Sequence, residues 1–272
     1  MRIRKAARMA DDGYRSELVP GLRVAGDASR LAAEIGFSAA RLAELAASPP
    51  GLYAEVASES DLEEAGWLAF LVALLSPTED EDPFAAIRAA RVPWASGEAP
   101  RFGDDVAVGP RCAYEPARAA ETVLAYRRWA ERAGSQASAF TGEPEWDAER
   151  RFARAFERLA LPGLHRTARF DLLTALGRTG RHDLRAGSLL LAGAPSDDDT
   201  AVAAKRVFGI ADPLLIDRRA AVLAQAAEVP LEALDLALFN WQRPDARATL
   251  GAGHPARADT EHRARAGSAL GL

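Results

Sequence analysis

The sequence predicts an all-α protein, and three observations carry that prediction. Apolar residues recur at three- and four-residue spacings along most of the chain. Prolines and glycines cluster between those periodic stretches rather than inside them. No stretch alternates apolar and polar residues in the manner of a strand ladder, and no internal repeat recurs at a fixed period. The 272 residues, 49% hydrophobic and 27% charged, suffice for a full core.

The elements follow in order. Residues 1–26 open with the basic run MRIRKAARMADD, too polar for a secretory signal, and read as an N-terminal arm. Residues 27–243 are expected to form the helical domain. Its first helix covers 27–47, with Leu31, Ile35, Leu42 and Leu45 on one face and Asp27 as the cap. Pro49, Pro50 and Gly51 stop it. Asp61 begins DLEEAGWLAFLVALLSP, in which Asp61 and Glu64 form a capping box and Pro77 ends the helix. A short helix is expected over 83–90. Residues 92–113 hold Pro93, Pro100, Pro110, Gly97, Gly103 and Gly109, and read as a long surface loop. Helical spacing returns at 116–133, 144–160, 166–177, 183–192, 198–208, 213–227 and 230–241. Asp197, Asp198 and Asp199 supply helix-start charge, and Pro230 with Glu232 suits a first turn. Residues 244–272 turn to Gly, Pro, Arg, Ala and His and read as an irregular tail.

Composition excludes several classes. Cys112 is the single cysteine, so neither an intramolecular disulfide nor a four-cysteine metal cluster can form. The longest apolar run, Trp67 to Leu75, falls well short of the ~18 residues a membrane helix needs, so no membrane association and a cytoplasmic location are expected. The formal net charge of −5 argues against a globally basic nucleic-acid binder. Among the histidines, 165, 182, 254 and 262, no His-x-x-x-His pair occurs, and the acidic runs 79–82 and 197–199 lack calcium-loop spacing. No metal and no cofactor are therefore expected.

The most informative segment is 159–191. A helix rich in arginine ends at Leu161-Pro162-Gly163, and a second helix starts near Arg166. Glycine lets the backbone turn sharply, and the free N–H groups of the following helix start can point at a phosphate. Such a grip holds a nucleic-acid backbone without reading its sequence. Across 150–185, nine arginines stand against Glu157, Asp171 and Asp183, on a chain that is acidic overall. The bland alternative is an ordinary helical corner whose arginines are solvated.

The order of these features resembles the helix–hairpin–helix DNA glycosylase superfamily. WLAFLVALLSPTEDED at 67–82 resembles that fold's early buried helix and the turn beside an extruded base, which makes Ser76 and Thr78 base-pocket candidates. LPGLHRTA at 161–168 resembles the hairpin, and LDLALFNWQ at 234–242 the late helix closing the bundle. Within the superfamily, RTARFDLLTALGRTGRHDL, AAKRVFGIADPLLIDRRAAVLA and LDLALFNW are most similar to the alpha-glutamyl/putrescinyl thymine pyrophosphorylase group. The resemblance implies a two-lobed helical bundle acting on a modified thymine or uracil in DNA. The reaction would be glycosidic cleavage or replacement of pyrophosphate on a 5-hydroxymethyl-pyrimidine by an amine such as putrescine or glutamate. It implies DNA contacts from Gly163, Leu164, His165, Arg166, Thr167, Arg169, Arg178 and Arg181.

Asp183, twenty residues after Gly163, falls near the superfamily's catalytic aspartate, and Asp217 in LLIDRRAAVLAQ is the rival candidate. In the catalytic reading Asp183 opens a helix with its carboxylate facing a cleft; the plain readings are a helix cap for Asp183 and a surface pair with Arg218 or Arg219 for Asp217. His182 reads as a solvated loop residue. The chain also departs from the pattern. His165 stands where a second hairpin glycine is usual, and Arg166 or Thr167 where a Schiff-base lysine would be, so imine chemistry is not expected. Two other classes remain open: a catalytically silent DNA-binding module built on the same hairpin, and a helical protein-interaction domain.

Overall fold

The computed structural model describes residues 11–103, 105–253 and 260–272. Among the described residues there are twelve α-helices and no strand. In chain order they are α1 (Ala25–Ala47), α2 (Leu52–Ser58), α3 (Leu62–Leu75), α4 (Ala85–Ala90), α5 (Ala119–Arg132), α6 (Gln136–Thr141), α7 (Ala148–Arg158), α8 (Arg166–Arg178), α9 (Asp199–Phe208), α10 (Pro213–Ala226), α11 (Leu231–Gln242) and α12 (Thr260–Leu270).

α3 forms the centre of one packing set. Every residue from Ala65 to Leu75 is buried, so this stretch has no solvent stripe at all. It packs on α2, α4, α6 and α8. The Asp61 carboxylate caps it by accepting from the Glu63 amide at 2.8 Å. The expected capping box does not close. Glu64 instead accepts from the amides of Trp94 and Ala95, and Glu63 accepts from those of Gln136 and Ala137. Two acids at the start of α3 thus satisfy the free amides of two distant segments, including the first turn of α6.

A second set gathers around α1, which packs on α11 and α12, while α9 and α10 pack on α11. α1 also touches α8, which in turn packs on α3 and α7, and one continuous apolar core runs through both sets. Trp67, Leu71, Leu75, Leu173, Leu176, Leu238 and Trp241 are all buried within it.

Several expectations are corrected. α1 starts two residues early, with Val24 rather than Asp27 at the cap; Asp27 lies in the first turn, paired with Arg30. The described part of the arm packs on the domain: Val19 and Leu22 are buried, and the Gly21 amide donates to the Val207 carbonyl at 2.9 Å. Residues 1–10 lie outside the described residues. The tail is not irregular throughout, because α12 lays Ala266 and Leu270 into the core against α1. Gly36 makes that approach possible, since a side chain there would meet the Arg263 backbone at 2.8 Å. Residues 183–192 form no helix. The Arg181 and His182 amides both turn back onto the Leu176 carbonyl, with Gly180 at φ +71°, so the chain leaves α8 in a tight reversal. The segment 92–113 is a largely exposed loop without α-helix among its described residues, as expected, but its end is tied to the fold. The Gly109 amide bonds the Leu75 carbonyl and the Ala113 amide the Leu74 carbonyl, which stitches its end to the exit of α3.

Leu176→Ala should cost ~2–5 kcal/mol, as a fully buried leucine does, in urea unfolding followed by circular dichroism. Gly36→Val should lower the midpoint as well by pushing α12 away from α1. An unchanged midpoint in that variant would show that α12 contributes nothing to the fold.

Candidate functional site

The hairpin segment folds as helix, tight turn and helix. Leu164 donates its amide to the Leu161 carbonyl at 3.1 Å, with Pro162 second and Gly163, at φ +75°, third, the pattern of a type II turn. Gly163 is required twice over, because a side chain there would also meet Thr122 Oγ1 at 2.1 Å. α8 then starts after His165, with no side-chain cap on its first amides.

What lies beneath that helix start is a buried ionic cluster. Arg111, in the stitched end of the loop, grips Asp171 of α8 with a two-pronged contact, Nε to Oδ2 at 2.8 Å and Nη2 to Oδ1 at 2.6 Å. The same Nη2 reaches Asp235 of α11 at 2.7 Å. The other Asp235 oxygen accepts from Arg166, which also donates to the Leu189 carbonyl. Burial alone would raise the Asp235 carboxyl; the Arg166 and Arg111 guanidiniums more than offset it and hold it below the usual range. For Asp171 burial wins, and its carboxyl lies above that range despite Arg111.

Arg166 is therefore not a phosphate contact: it is 1% exposed and committed to Asp235. The other hairpin arginines are similarly tied. Arg169 lies 4.2 Å over the Phe156 ring and donates to that residue's carbonyl, with burial pushing its pKa down to about 10. Arg178 pairs with Glu232, and Arg181 donates to the Glu59 carbonyl. The exposed basic residues lie one helix earlier: Arg150, Arg154 and Arg158 recur every four residues on α7, with Arg150 and Arg158 each 5.4 Å from the Trp146 ring.

An open cleft of about 220 Å³ lies at the start of α8. It is lined by His165 and Thr167 of the hairpin, by Arg111 and Phe239, and by Asp197, Asp198 and Asp199 at the start of α9. Asp198 caps α9 through the Ala201 amide and also accepts from Thr167 Oγ1 at 3.3 Å, linking the two helix starts. His165 Nε2 lies 3.0 Å from Glu115 Oε1, which leaves the other ring nitrogen without a protein partner among the described residues. Cys112 is also on the wall, but burial raises its thiol pKa, so it is a poor nucleophile. Among the described residues no group of three His, Cys, Asp or Glu side chains could hold a metal ion.

Neither sequence-predicted aspartate lines this cleft. The Asp183 side chain is 70% exposed, pairs with Arg151 at 2.6 Å and opens no helix. Asp217 is half-buried, with its carboxyl raised by burial, and accepts from the Leu189 amide at 2.9 Å. It braces a loop in which Leu190 takes φ +52°, a conformation costly for a side-chain-bearing residue. Ser76 and Thr78 are buried; Ser76 lines an internal cavity of about 10 Å³ with Tyr53 and Asp171, room for at most one water and not for a base. Gly163 and Leu164 shape the turn, Leu164 from within the core. Arg111 gave no periodic signal in its proline-rich loop. Asp198 gave a signal of helix-start charge, which is its role, and its nearness to the hairpin follows only from the return of the chain over 179–198.

His182 also departs from expectation. It is buried against Phe140, its Nε2 has no hydrogen-bond partner, and burial pushes its pKa down to about 4. Comparisons with protein-family models, with curated proteins and with solved structures give no match.

Asp235→Ala leaves two buried guanidiniums facing a gap and should cost ~3–5 kcal/mol, whereas Asp183→Asn should leave the unfolding midpoint near wild type. For His182, the folded pKa lies below the unfolded one, so the unfolded chain takes up the proton first. Stability is full above about 6.5 and falls as pH drops toward about 4, by at most ~1.4 kcal/mol per pH unit. Urea unfolding of His182→Phe at pH 7, 6 and 5 should show a weaker pH dependence than wild type.

Proposed function

We propose that this chain binds DNA through the hairpin and α7 and acts on a modified thymine- or uracil-type base extruded into the cleft. The observation that carries the reading is the convergence of two helix starts on one open cleft: α8, entered through the Pro162-Gly163 turn, and α9, entered through three aspartates. The glycosidic bond of a base stacked inside a duplex cannot be enclosed by a protein cleft, so its cleavage requires extrusion. The cleft is smaller than the ~300–1,000 Å³ of a drug-sized pocket and suits a single ring.

The roles follow from position. Asp198, fixed by Thr167 and the Ala201 amide, is the carboxylate placed to stabilise positive charge developing at the sugar or to orient a water. His165, held by Glu115, is the group placed to carry a proton. In this reading Asp198 takes the role that the sequence resemblance gave to Asp183 or Asp217. The backbone grip falls to α7, where Arg150, Arg154 and Arg158 form an exposed stripe, Arg154 in a solvent-exposed pair with Glu157, whereas on α8 Arg166 is buried and Arg169 and Arg178 are half-buried and committed within the fold. A carboxylate and an imidazole in these positions favour glycosidic cleavage of a neutral ring over substitution at the 5-substituent by an amine, because a pyrophosphate leaving group would meet Asp197 and Asp198 on the cleft wall.

Incubation with oligonucleotides carrying 5-hydroxymethyluracil or its pyrophosphorylated form, with and without putrescine or glutamate, tests the reaction. Asp198→Asn should abolish base release or base alteration, while Asp183→Asn retains it. Arg150→Glu with Arg154→Glu and Arg158→Glu should weaken DNA binding. Its salt dependence should also flatten, since fewer phosphates are neutralised and fewer counterions released on binding. Full activity in Asp198→Asn, or an unchanged salt slope in the triple variant, would count against the reading.

A further inference from the structure

Four of the five tryptophans belong to the core or pack against it: Trp67, Trp129 and Trp241 are buried, and Trp94 tilts against Trp67 at 5.5 Å. Trp146 stands apart. It is half-buried at the surface just before α7, with the Arg150 and Arg158 guanidiniums each 5.4 Å from its ring. Those two arginines are roughly two turns apart on α7, so the indole lies along the helix face between them. Gly142, at φ +64°, makes room for it, since a side chain there would meet the indole carbons at 2.6 Å. A tryptophan kept out of the core in this way is a feature of contact surfaces.

The charges around the indole differ in their commitments. Arg154 pairs with Glu157, Glu149 pairs with Arg185, and Asp147 caps α7 through the Arg150 amide. The side chains of Arg150 and Arg158 make no hydrogen bond or ion pair among the described residues; their contact is with the indole. Glu143 and Glu145, exposed in the loop before Trp146, temper the attraction for phosphate. What this face adds to charge is a π surface held between two uncommitted guanidiniums.

We infer that Trp146 is a stacking platform for an unpaired base, and that the nucleic acid held on α7 is single-stranded at this point. The inference rests on the reading that α7 grips a DNA backbone, and it names the strand state of that substrate. A base in a duplex has its faces covered by its neighbours, whereas an unpaired base offers a face to an indole, and any base serves because each has one. Arg150 and Arg158 exchange the indole for phosphates at little cost, since an exposed cation–π contact is weak. An acidic peptide would satisfy the guanidiniums but has no ring to cover the indole. The stripe also leads to the cleft: Arg158 closes α7, and the chain passes from it through the Pro162-Gly163 turn to His165 on the cleft wall. In a single strand the base presented there turns out of line without breaking a pair.

Fluorescence anisotropy with the full chain and three labelled probes of equal length is the test: an unmodified DNA single strand, its duplex, and an abasic strand that keeps the phosphates and lacks the rings. The single strand should bind about tenfold more tightly than the abasic strand, and more tightly than the duplex. Trp146→Ala should remove that advantage with the salt slope unchanged, because no phosphate contact is lost. Trp146→Phe, which keeps a ring, should retain most of it, and both variants should keep the wild-type circular dichroism. Equal binding of the three probes by the wild type overturns the inference without recourse to any variant, and so does a Trp146→Ala chain that keeps the advantage. Either result, with the salt slope flattened in the α7 triple variant, leaves the backbone grip standing. Polyglutamate that displaces the single strand as readily as unlabelled oligonucleotide assigns the face to acidic peptides and also overturns the inference. A chain that binds none of the three probes overturns grip and platform together.

Discussion

Two arginines and two aspartates lie together inside this protein, and the placement of everything around the cleft depends on their being satisfied at once. Moving four charges out of water is costly, several kcal/mol for each ion even after relaxation. The cost is offset only when the geometry is right: Asp171 must receive the Arg111 fork, and Asp235 must sit between Arg111 and Arg166. These residues come from the loop end at Arg111, from α8 and from α11. Apolar packing alone is non-directional and would tolerate α8 sliding along its neighbours. The ionic cluster does not tolerate this, because a slip by one turn would leave an uncompensated charge in the core. Arg166 is the first residue of α8, so the pinned residue is the one that sets where the helix begins.

That constraint passes directly to the cleft. With the start of α8 fixed, His165 and Thr167 on either side of Arg166 have fixed positions on the cleft wall, and Thr167 is held in reach of Asp198. The turn before it is fixed from the other side by the close approach of Gly163 to Thr122. Arg166 also donates to the Leu189 carbonyl, and Asp217 accepts from the Leu189 amide, so the returning segment is clamped at the same residue from two directions. The half-buried aspartate of α10 is thereby part of the same support, although it does not reach the cleft.

How much of this was legible in the sequence depends on the range of the interaction involved. Long periodic helices were readable, and the wholly apolar run of α3 was recognisably a buried helix, because both signals are local. α6 was not, since its first amides are satisfied by Glu63, more than seventy residues away. The expected helix over 183–192 rested on Asp183 as a cap; the chain does reverse at Gly180, but Asp183 pairs with Arg151 and no helix starts there. α12 was missed because its small, polar sequence becomes helical by docking on α1 at Gly36, a tertiary effect with no local signature. The hairpin turn was legible from Leu-Pro-Gly, but the destinations of its arginines were not. A count of basic residues cannot distinguish a guanidinium that faces solvent from one that neutralises a buried aspartate.

The sorting of those arginines changes the electrostatic character of the region. Once Arg111 and Arg166 are matched by Asp171 and Asp235, the cluster has no charge left over to present to the cleft, whose rim is then dominated by Asp197, Asp198 and Asp199. Even Asp199 is partly neutralised, by Arg243, which leaves the acidic character concentrated on Asp197 and Asp198. A polyanion entering such a cleft meets repulsion, while a neutral ring or a cationic group does not. The exposed stripe of α7 has the opposite character and can accept phosphates. A ligand that is anionic along its length but carries neutral rings on its side matches both surfaces, provided the ring is turned away from the backbone. The same division explains why committing the α8 arginines is compatible with the proposed grip: Arg166 holds the helix start in place, Arg169 and Arg178 are engaged within the fold, and phosphate binding is left to the solvent-facing arginines one helix earlier.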